Sequence, residues 1–132
     1  MTTDPPATSQ RTVLVVDDDA SIREVAAMCL ELVGGWHVVT AENGTAGLAQ
    51  AERHRPDAVL LDVMMPGMDG ITTFARIHEN PATADIPVIL LTAKVKAGDV
   101  QDWAGLPVSG VISKPFDPMT LPDQIRRLLA WT

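Results

Sequence analysis

Residues 12–22 read TVLVVDDDASI, an apolar run that ends in three consecutive aspartates before a second apolar pattern begins. The four residues VLVV are apolar on successive positions, which is typical of a strand covered on both faces in a parallel sheet. After the aspartates, apolar residues recur at helical spacing from Ile22 to Val33, and Asp19 occupies the position of a helix N-cap. The segment therefore predicts a strand, a carboxylate-rich loop and an amphipathic helix.

The same alternation of strand and helix continues along the chain. Five short runs rich in β-branched residues are predicted as strands: Thr12–Val16, Trp36–Ala41, Ala58–Leu61, Val88–Leu91 and Gly110–Ser113. Four helices are predicted after the first one, at about Gly44–Arg53, about Gly70–Glu79, within Ala97–Leu106 and at Met119–Ala130. This order predicts an α/β fold in which a parallel sheet carries helices on both faces.

The composition indicates one compact domain with an aliphatic core. A length of 132 residues suits a single domain, and 46% of the residues are hydrophobic although only 4% are aromatic. The first ten residues, MTTDPPATSQ, carry two prolines and no apolar periodicity. We therefore expect a disordered lead at 1–10 and a folded domain over 11–132.

Charge and hydropathy narrow the possible functions. Ten Lys and Arg residues against 17 Asp and Glu residues give a net charge of −7, which disfavours direct binding to nucleic acid or to an anionic membrane. The longest apolar run, Val25–Leu30, has six residues, whereas a membrane-spanning helix needs about 20. A single cysteine cannot form an internal disulfide, and the N-terminus lacks the pattern of a signal peptide. These features predict a cytoplasmic protein.

Polar side chains follow the predicted strands at the edge of the sheet where open parallel sheets bind ligands. The aspartates at 17–19 follow the first strand, Asp62 the third, Thr92 the fourth and Lys114 the fifth. Taken singly, these residues have ordinary explanations, such as a helix cap, β propensity or a surface ion pair. Converging carboxylates, however, destabilise a fold unless a cation neutralises them. Oxygen ligands without a nearby histidine or cysteine favour Mg²⁺ over zinc.

Four segments of the chain resemble the signature segments of the receiver domain of two-component response regulators: VLVVDDDAS, AVLLDVMMPGMDG, PVILLTA and GVISKPF. The resemblance covers roughly residues 12–130, and its specificity comes from spacings of 45, 30 and 22 residues between Asp17, Asp62, Thr92 and Lys114. It implies the flavodoxin-like receiver fold, a doubly wound five-stranded parallel sheet in the order 2-1-3-4-5. A single-domain regulator of the chemotaxis type is the form we expect.

The resemblance also implies a metal site and a phosphoacceptor. Asp62 would accept a phosphoryl group, and Asp17, Asp18 and Asp62 would hold Mg²⁺ together with the backbone carbonyl of Met64. We expect the side chains of Val63 and Met64 to pack rather than to react.

The remaining site residues would serve the phosphoryl group. Lys114 would pair with Asp62 and then with the phosphoryl oxygens, Thr92 would donate its hydroxyl, and Ala93 would leave room for the incoming group. The bond between Lys114 and Pro115 is cis in the family.

The partners implied by the resemblance are proteins. A sensor histidine kinase or a histidine phosphotransfer protein would supply the phosphoryl group, and the face of helix four, strand five and helix five would contact a downstream protein. The chain would be a switch that catalyses its own phosphorylation and dephosphorylation rather than a turnover enzyme. Val111 occupies a position where the family often has an aromatic residue, so we expect the switch to act through Lys94–Pro107 instead.

Three alternatives remain open on the sequence. The chain could be a receiver fragment of a longer regulator. A Mg²⁺-dependent phosphatase with an aspartyl nucleophile is compatible with Asp17-x-Asp19, although such enzymes carry a further acidic pair late in the chain. A flavodoxin-like carrier of FMN would share the topology, but three aspartates after the first strand would repel its phosphate.

Overall fold

One parallel sheet of five strands forms the centre of the computed structural model, which describes residues 10–65, 67–92 and 106–131. The strands are β1 (Thr12–Val16), β2 (His37–Ala41), β3 (Ala58–Asp62), β4 (Val88–Thr92) and β5 (Gly110–Ser113). Their order in the sheet is β2-β1-β3-β4-β5, and every neighbouring pair is parallel. The predicted fold class and strand order are therefore confirmed.

Helices connect and follow these strands: α1 (Ala20–Leu32), α2 (Gly44–His54), α3 (Gly70–Glu79) and the C-terminal helix (Leu121–Leu129). The ends of α2, α3 and the C-terminal helix lie within two residues of the predicted ends. Helix α1 lies where the apolar pattern after the aspartates predicted a helix. The helix predicted within Ala97–Leu106 lies outside the described residues apart from its last position. The lead predicted to be disordered also lies outside them, apart from Gln10.

Two predicted boundaries are displaced by local hydrogen bonds. The N–H of Trp36 donates to the carbonyl of Leu30 (3.2 Å) at the end of α1, so β2 pairs with β1 only from His37 onward. The N–H of Met119 donates to the side chain of Asp117 (2.9 Å) in a turn, and the C-terminal helix begins two residues later than predicted.

The sheet is buried between two apolar layers. Every residue of β3 and β4 is buried, because helices cover both faces of these central strands. Successive strand residues face opposite layers: Leu14 and Leu61 lie in the layer of α2 and α3, whereas Val13 and Leu60 lie in the layer of α1 and the C-terminal helix. Burying such a side chain fully stabilises the fold by about 1.5–3 kcal/mol, so the two layers hold the strand ends in a fixed arrangement.

Fewer residues of α1 are buried than the helical spacing of its apolar residues predicts. Val25 and Val33 follow the helical spacing of the apolar residues, which predicts a place on the buried face, but they are 42% and 43% exposed. The residues of α1 that are buried against the sheet are Ala26, Cys29 and Leu30. Val25 instead lines an open cavity of about 210 Å³ between α1 and the segment that follows Lys114.

No helix in the described part of the chain is both long and apolar enough to span a membrane.

The turn between β3 and α3 packs directly against the backbone at Asp62. The N–H of Gly70 donates to the carbonyl of Val63 (2.9 Å), which brings the start of α3 back over the end of β3. A Cβ atom at Gly70 would lie 2.2 Å from the carbonyl oxygen of Asp62. The position therefore tolerates only glycine without movement of the strand end.

We expect Gly70→Ala to lower the free energy of unfolding by about 1–3 kcal/mol, because the methyl group can be accommodated only by displacing backbone. Urea denaturation measures the change, and Thr72→Ala, at an exposed position in the same helix, is the matched control. An unfolding midpoint for Gly70→Ala equal to that of the control would contradict the close packing.

Candidate functional site

Three carboxylates lie together at the carboxyl ends of two neighbouring strands. Asp17 follows β1 and Asp62 ends β3, and these strands are adjacent in the sheet. Asp17, Asp18 and Asp62 can each place one carboxylate oxygen within 4.8 Å of the other two. Asp17 and Asp62 are buried, whereas Asp18 is exposed to solvent.

The ammonium group of Lys114 bridges the two buried carboxylates. Its Nζ lies 2.7 Å from Oδ2 of Asp17 and 3.3 Å from Oδ1 of Asp62. The predicted pairing with Asp62 is therefore present, but the closer partner is Asp17. The same Oδ1 of Asp62 also accepts the N–H of Met64 (3.2 Å), so it shares its lone pairs between two donors.

Asp17 is held by hydrogen bonds on all of its polar groups. Its N–H donates to the carbonyl of Ala41 (3.1 Å), and its Oδ1 accepts the N–H of Asp19 (2.9 Å). Its Oδ2 accepts from Lys114, and its backbone carbonyl accepts from Nη1 of Arg23 (2.7 Å). The sequence did not single out Arg23, because only the fold shows that a side chain on α1 reaches back over the end of β1.

The pKa of Asp62 is raised from its ordinary value of 3.8 to about 6. Burial is the largest cause, and the negative charge of Asp17 adds to it, whereas Lys114 and the N–H of Met64 act in the opposite direction. Burial also lowers the pKa of Lys114, but its hydrogen bond to Asp17 and the two nearby carboxylates outweigh that effect and raise it overall. Lys114 is thus a permanent cation at neutral pH beside two carboxylates.

The loop after Asp62 departs from expectation at one side chain. Val63 is 7% exposed and packs in the core as predicted, but Met64 is 72% exposed and its predicted packing is wrong. The backbone explains the difference, because the N–H of Met64 turns toward Asp62 and leaves the side chain in solvent. That the carbonyl of Met64 is a metal ligand stays a prediction.

The other residues singled out in the sequence lie in or next to β4 and β5. Thr92 is buried at the end of β4, and its backbone carbonyl accepts the N–H of Lys114 (2.6 Å). The peptide bond between Lys114 and Pro115 is cis, as expected. Val111 packs against the layer that contains α2 and α3. Ala93 lies outside the described residues.

This arrangement fits a hard divalent cation. Two buried carboxylates share one ammonium group, so negative charge remains in excess even before Asp18 is counted. The donors are all oxygen atoms, which Mg²⁺ and Ca²⁺ prefer, and exposed Asp18 leaves one side of the cluster open to water. Asp17, Asp18 and Asp62 are the residues that could hold such an ion.

Comparison with known proteins agrees with the fold. The sequence model of the response regulator receiver domain matches residues 13–126. The chain therefore belongs to the receiver domain family of two-component response regulators. This assignment favours the receiver interpretation over the phosphatase and the flavin carrier.

Individual relatives support the same assignment. The chain is 37% identical over 122 residues to the phosphate regulon transcriptional regulatory protein PhoB of Pseudomonas aeruginosa, covering 92% of this chain and 53% of PhoB. It is 41% identical over 118 residues to the response regulator PleD of Caulobacter vibrioides, covering 88% of this chain and 25% of PleD. The chain thus spans about half the length of PhoB, and a smaller part of PleD.

Solved structures of similar length show the same fold. The chemotaxis response regulator CheY4 of Vibrio cholerae superposes with a TM-score of 0.83 at 31% identity, covering 91% of this chain and 99% of CheY4. The N-terminal domain of a response regulator receiver protein from Methanoculleus marisnigri superposes with a TM-score of 0.73 at 41% identity, covering 92% of this chain and 98% of that domain.

The raised pKa of Asp62 predicts that its ionisation destabilises the metal-free protein. We expect Asp62→Asn to be more stable than the wild type at pH 7, by at most about 3 kcal/mol. The folded state binds the proton of Asp62 more tightly than the unfolded state, so wild-type stability rises as the pH falls through about 6. The advantage of Asp62→Asn should therefore disappear below about pH 4. Urea denaturation in EDTA between pH 3 and 8 measures it.

The matched control is Asp85→Asn, which neutralises an exposed carboxylate away from the cluster. Equal stabilisation by both substitutions would show that net charge, rather than the buried position of Asp62, is responsible.

Proposed function

We propose that this receiver domain accepts a phosphoryl group on Asp62 from the phosphohistidine of a sensor histidine kinase or a histidine phosphotransfer protein. A carboxylate oxygen of Asp62 would form the new bond to phosphorus, the phosphorus–nitrogen bond of the donor would break, and the released imidazole would take up a proton. The observation that carries the proposal is the position of Asp62 beside a permanent cation and two further carboxylates.

Charge explains why these residue types serve that reaction. Phosphoryl transfer depends mainly on positioning and on stabilising negative charge. A Mg²⁺ ion, held by Asp17, Asp18 and Asp62, would supply the positive charge that lets an anionic donor approach an acidic pocket. Lys114 already contacts Asp62, and its ammonium group would donate to a phosphoryl oxygen while it keeps the shorter bond to Asp17.

The proposal extends to the output of the domain. We infer a switch that dephosphorylates itself and signals to another protein, rather than an enzyme that turns over a substrate. The contact surface would comprise β5, the C-terminal helix and the helix predicted within Ala97–Leu106. Binding to nucleic acid and to membranes is disfavoured by the charge of −7, and a cytoplasmic location would suit a histidine kinase as donor.

We expect the wild-type protein to gain the mass of one phosphoryl group when it is incubated with acetyl phosphate and Mg²⁺. Asp62→Ala should abolish the gain, because it removes the attacking oxygen. Intact-mass spectrometry measures both results, and Asp85→Asn serves as a control that leaves the cluster intact. Phosphorylation of Asp62→Ala at the wild-type rate would contradict the assignment of the acceptor.

We expect Mg²⁺ to raise the melting temperature, because an ion that binds only the folded state stabilises it. The effect is about 2.7 kcal/mol when the ion is at a hundredfold excess over its Kd. Asp18→Asn should weaken the response, since it removes one of the three carboxylates. Differential scanning fluorimetry across a Mg²⁺ series measures the shift. Identical melting temperatures with and without Mg²⁺ for the wild type would disprove the metal site.

A further inference from the structure

Arg23 makes a hydrogen bond that ion pairing does not explain. It lies in the first turn of α1, and its Nη1 donates to the backbone carbonyl of Asp17 at 2.7 Å. The side chain is partly buried beside the end of β2, next to Ala41 and Glu42. Among the described residues, the ion pairs within 4 Å do not include Arg23. Its defined contact is therefore with a peptide group and not with a carboxylate.

That peptide group joins two of the three carboxylate residues of the cluster. The N–H of Asp17 is fixed by the carbonyl of Ala41, and the carbonyl of Asp17 is fixed by Arg23. The peptide before Asp17 is thus bonded to the end of β2, and the peptide between Asp17 and Asp18 is bonded to Arg23 on α1. Since the side chain of Asp18 is exposed, its backbone is what places its carboxylate near Asp62.

We propose that Arg23 is a positioning residue for the metal site. By fixing the peptide between Asp17 and Asp18, its guanidinium holds their carboxylates where they can bind one cation together with Asp62. This inference rests on the proposed function, because it concerns the Mg²⁺ site that the function requires. Some groups hydrogen-bond to a metal ligand without touching the metal, and their removal typically weakens metal binding by about 10-fold to 100-fold.

Electrostatics and positioning predict opposite effects of removing this arginine. If Arg23 acted only through its charge, its loss would make the pocket more negative and Mg²⁺ would bind more tightly. If Arg23 positions the ligands, its loss allows the peptide to reorient and Mg²⁺ binds more weakly. The sign of the change in affinity therefore separates the two roles.

The test is an NMR titration of the full chain with Mg²⁺, following the backbone amides of Asp18 and Asp19. Arg23→Met keeps an apolar stem but removes both the donors and the charge, and we expect its Kd for Mg²⁺ to rise about 10-fold. Arg23→Lys retains a donor that can reach a carbonyl, so it should recover part of the lost affinity. Arg53→Ala, an exposed position on α2, should bind as the wild type does.

Urea denaturation without Mg²⁺ shows whether each variant is folded to the same extent as the wild type. If Arg23→Met bound Mg²⁺ as tightly as the wild type, or more tightly, the positioning role of Arg23 would be overturned. The metal site itself would still stand. A wild-type protein without saturable Mg²⁺ binding would overturn the metal site and, with it, this inference. Failure of Arg23→Lys to bind better than Arg23→Met would also count against positioning through the hydrogen bond.

Discussion

The ammonium group of Lys114, placed between Asp17 and Asp62, is the interaction on which the site depends. Both carboxylates are buried, and an unpaired buried carboxylate would cost several kcal/mol, so the lysine allows them to lie together. One positive charge cannot neutralise two negative ones. The pocket therefore keeps an excess of negative charge, which makes the cluster suitable for a divalent cation. Burial and, after it, the negative charge of Asp17 raise the pKa of Asp62.

The order of the strands is what brings these groups together from distant parts of the chain. Asp17 and Asp62 lie at the ends of the adjacent strands β1 and β3. Lys114 follows β5, and its side chain reaches past the end of β4 to both carboxylates. The bond from the N–H of Lys114 to the carbonyl of Thr92 continues the pairing of β4 with β5 at the same edge. The strands β3 and β4 are buried between both layers, so the packing of the core fixes the positions of their ends.

Sequence reasoning predicted the strands and helices, and which polar residues lie at one edge of the sheet, better than it predicted the contacts between them. Short apolar runs that alternate with helical segments predicted all five strands, since parallel strands buried on both faces are apolar at successive positions. It could not show that Lys114 lies closer to Asp17 than to Asp62, or that Arg23 reaches the Asp17 carbonyl, because those distances follow from how the helices pack on the sheet. The exposure of Met64 was missed for a related reason: an apolar side chain gave no sign that its backbone turns toward Asp62.

Stability and the proposed chemistry make opposite demands on Asp62. Its burial and the charge of Asp17 disfavour the carboxylate form, yet the carboxylate form is the one that could attack phosphorus. A cation in the cluster would reconcile these demands, because it would favour ionisation of Asp62 while it neutralised the approaching donor. Asp17 has hydrogen bonds on every polar group, and its contact with Lys114 is the shorter of the two that this lysine makes. The longer contact, between Lys114 and Asp62, is therefore the weaker one. In the proposed function, that longer contact is the one that changes when Asp62 is modified, and Lys114 would carry the change to the end of β4 through its backbone bond to Thr92.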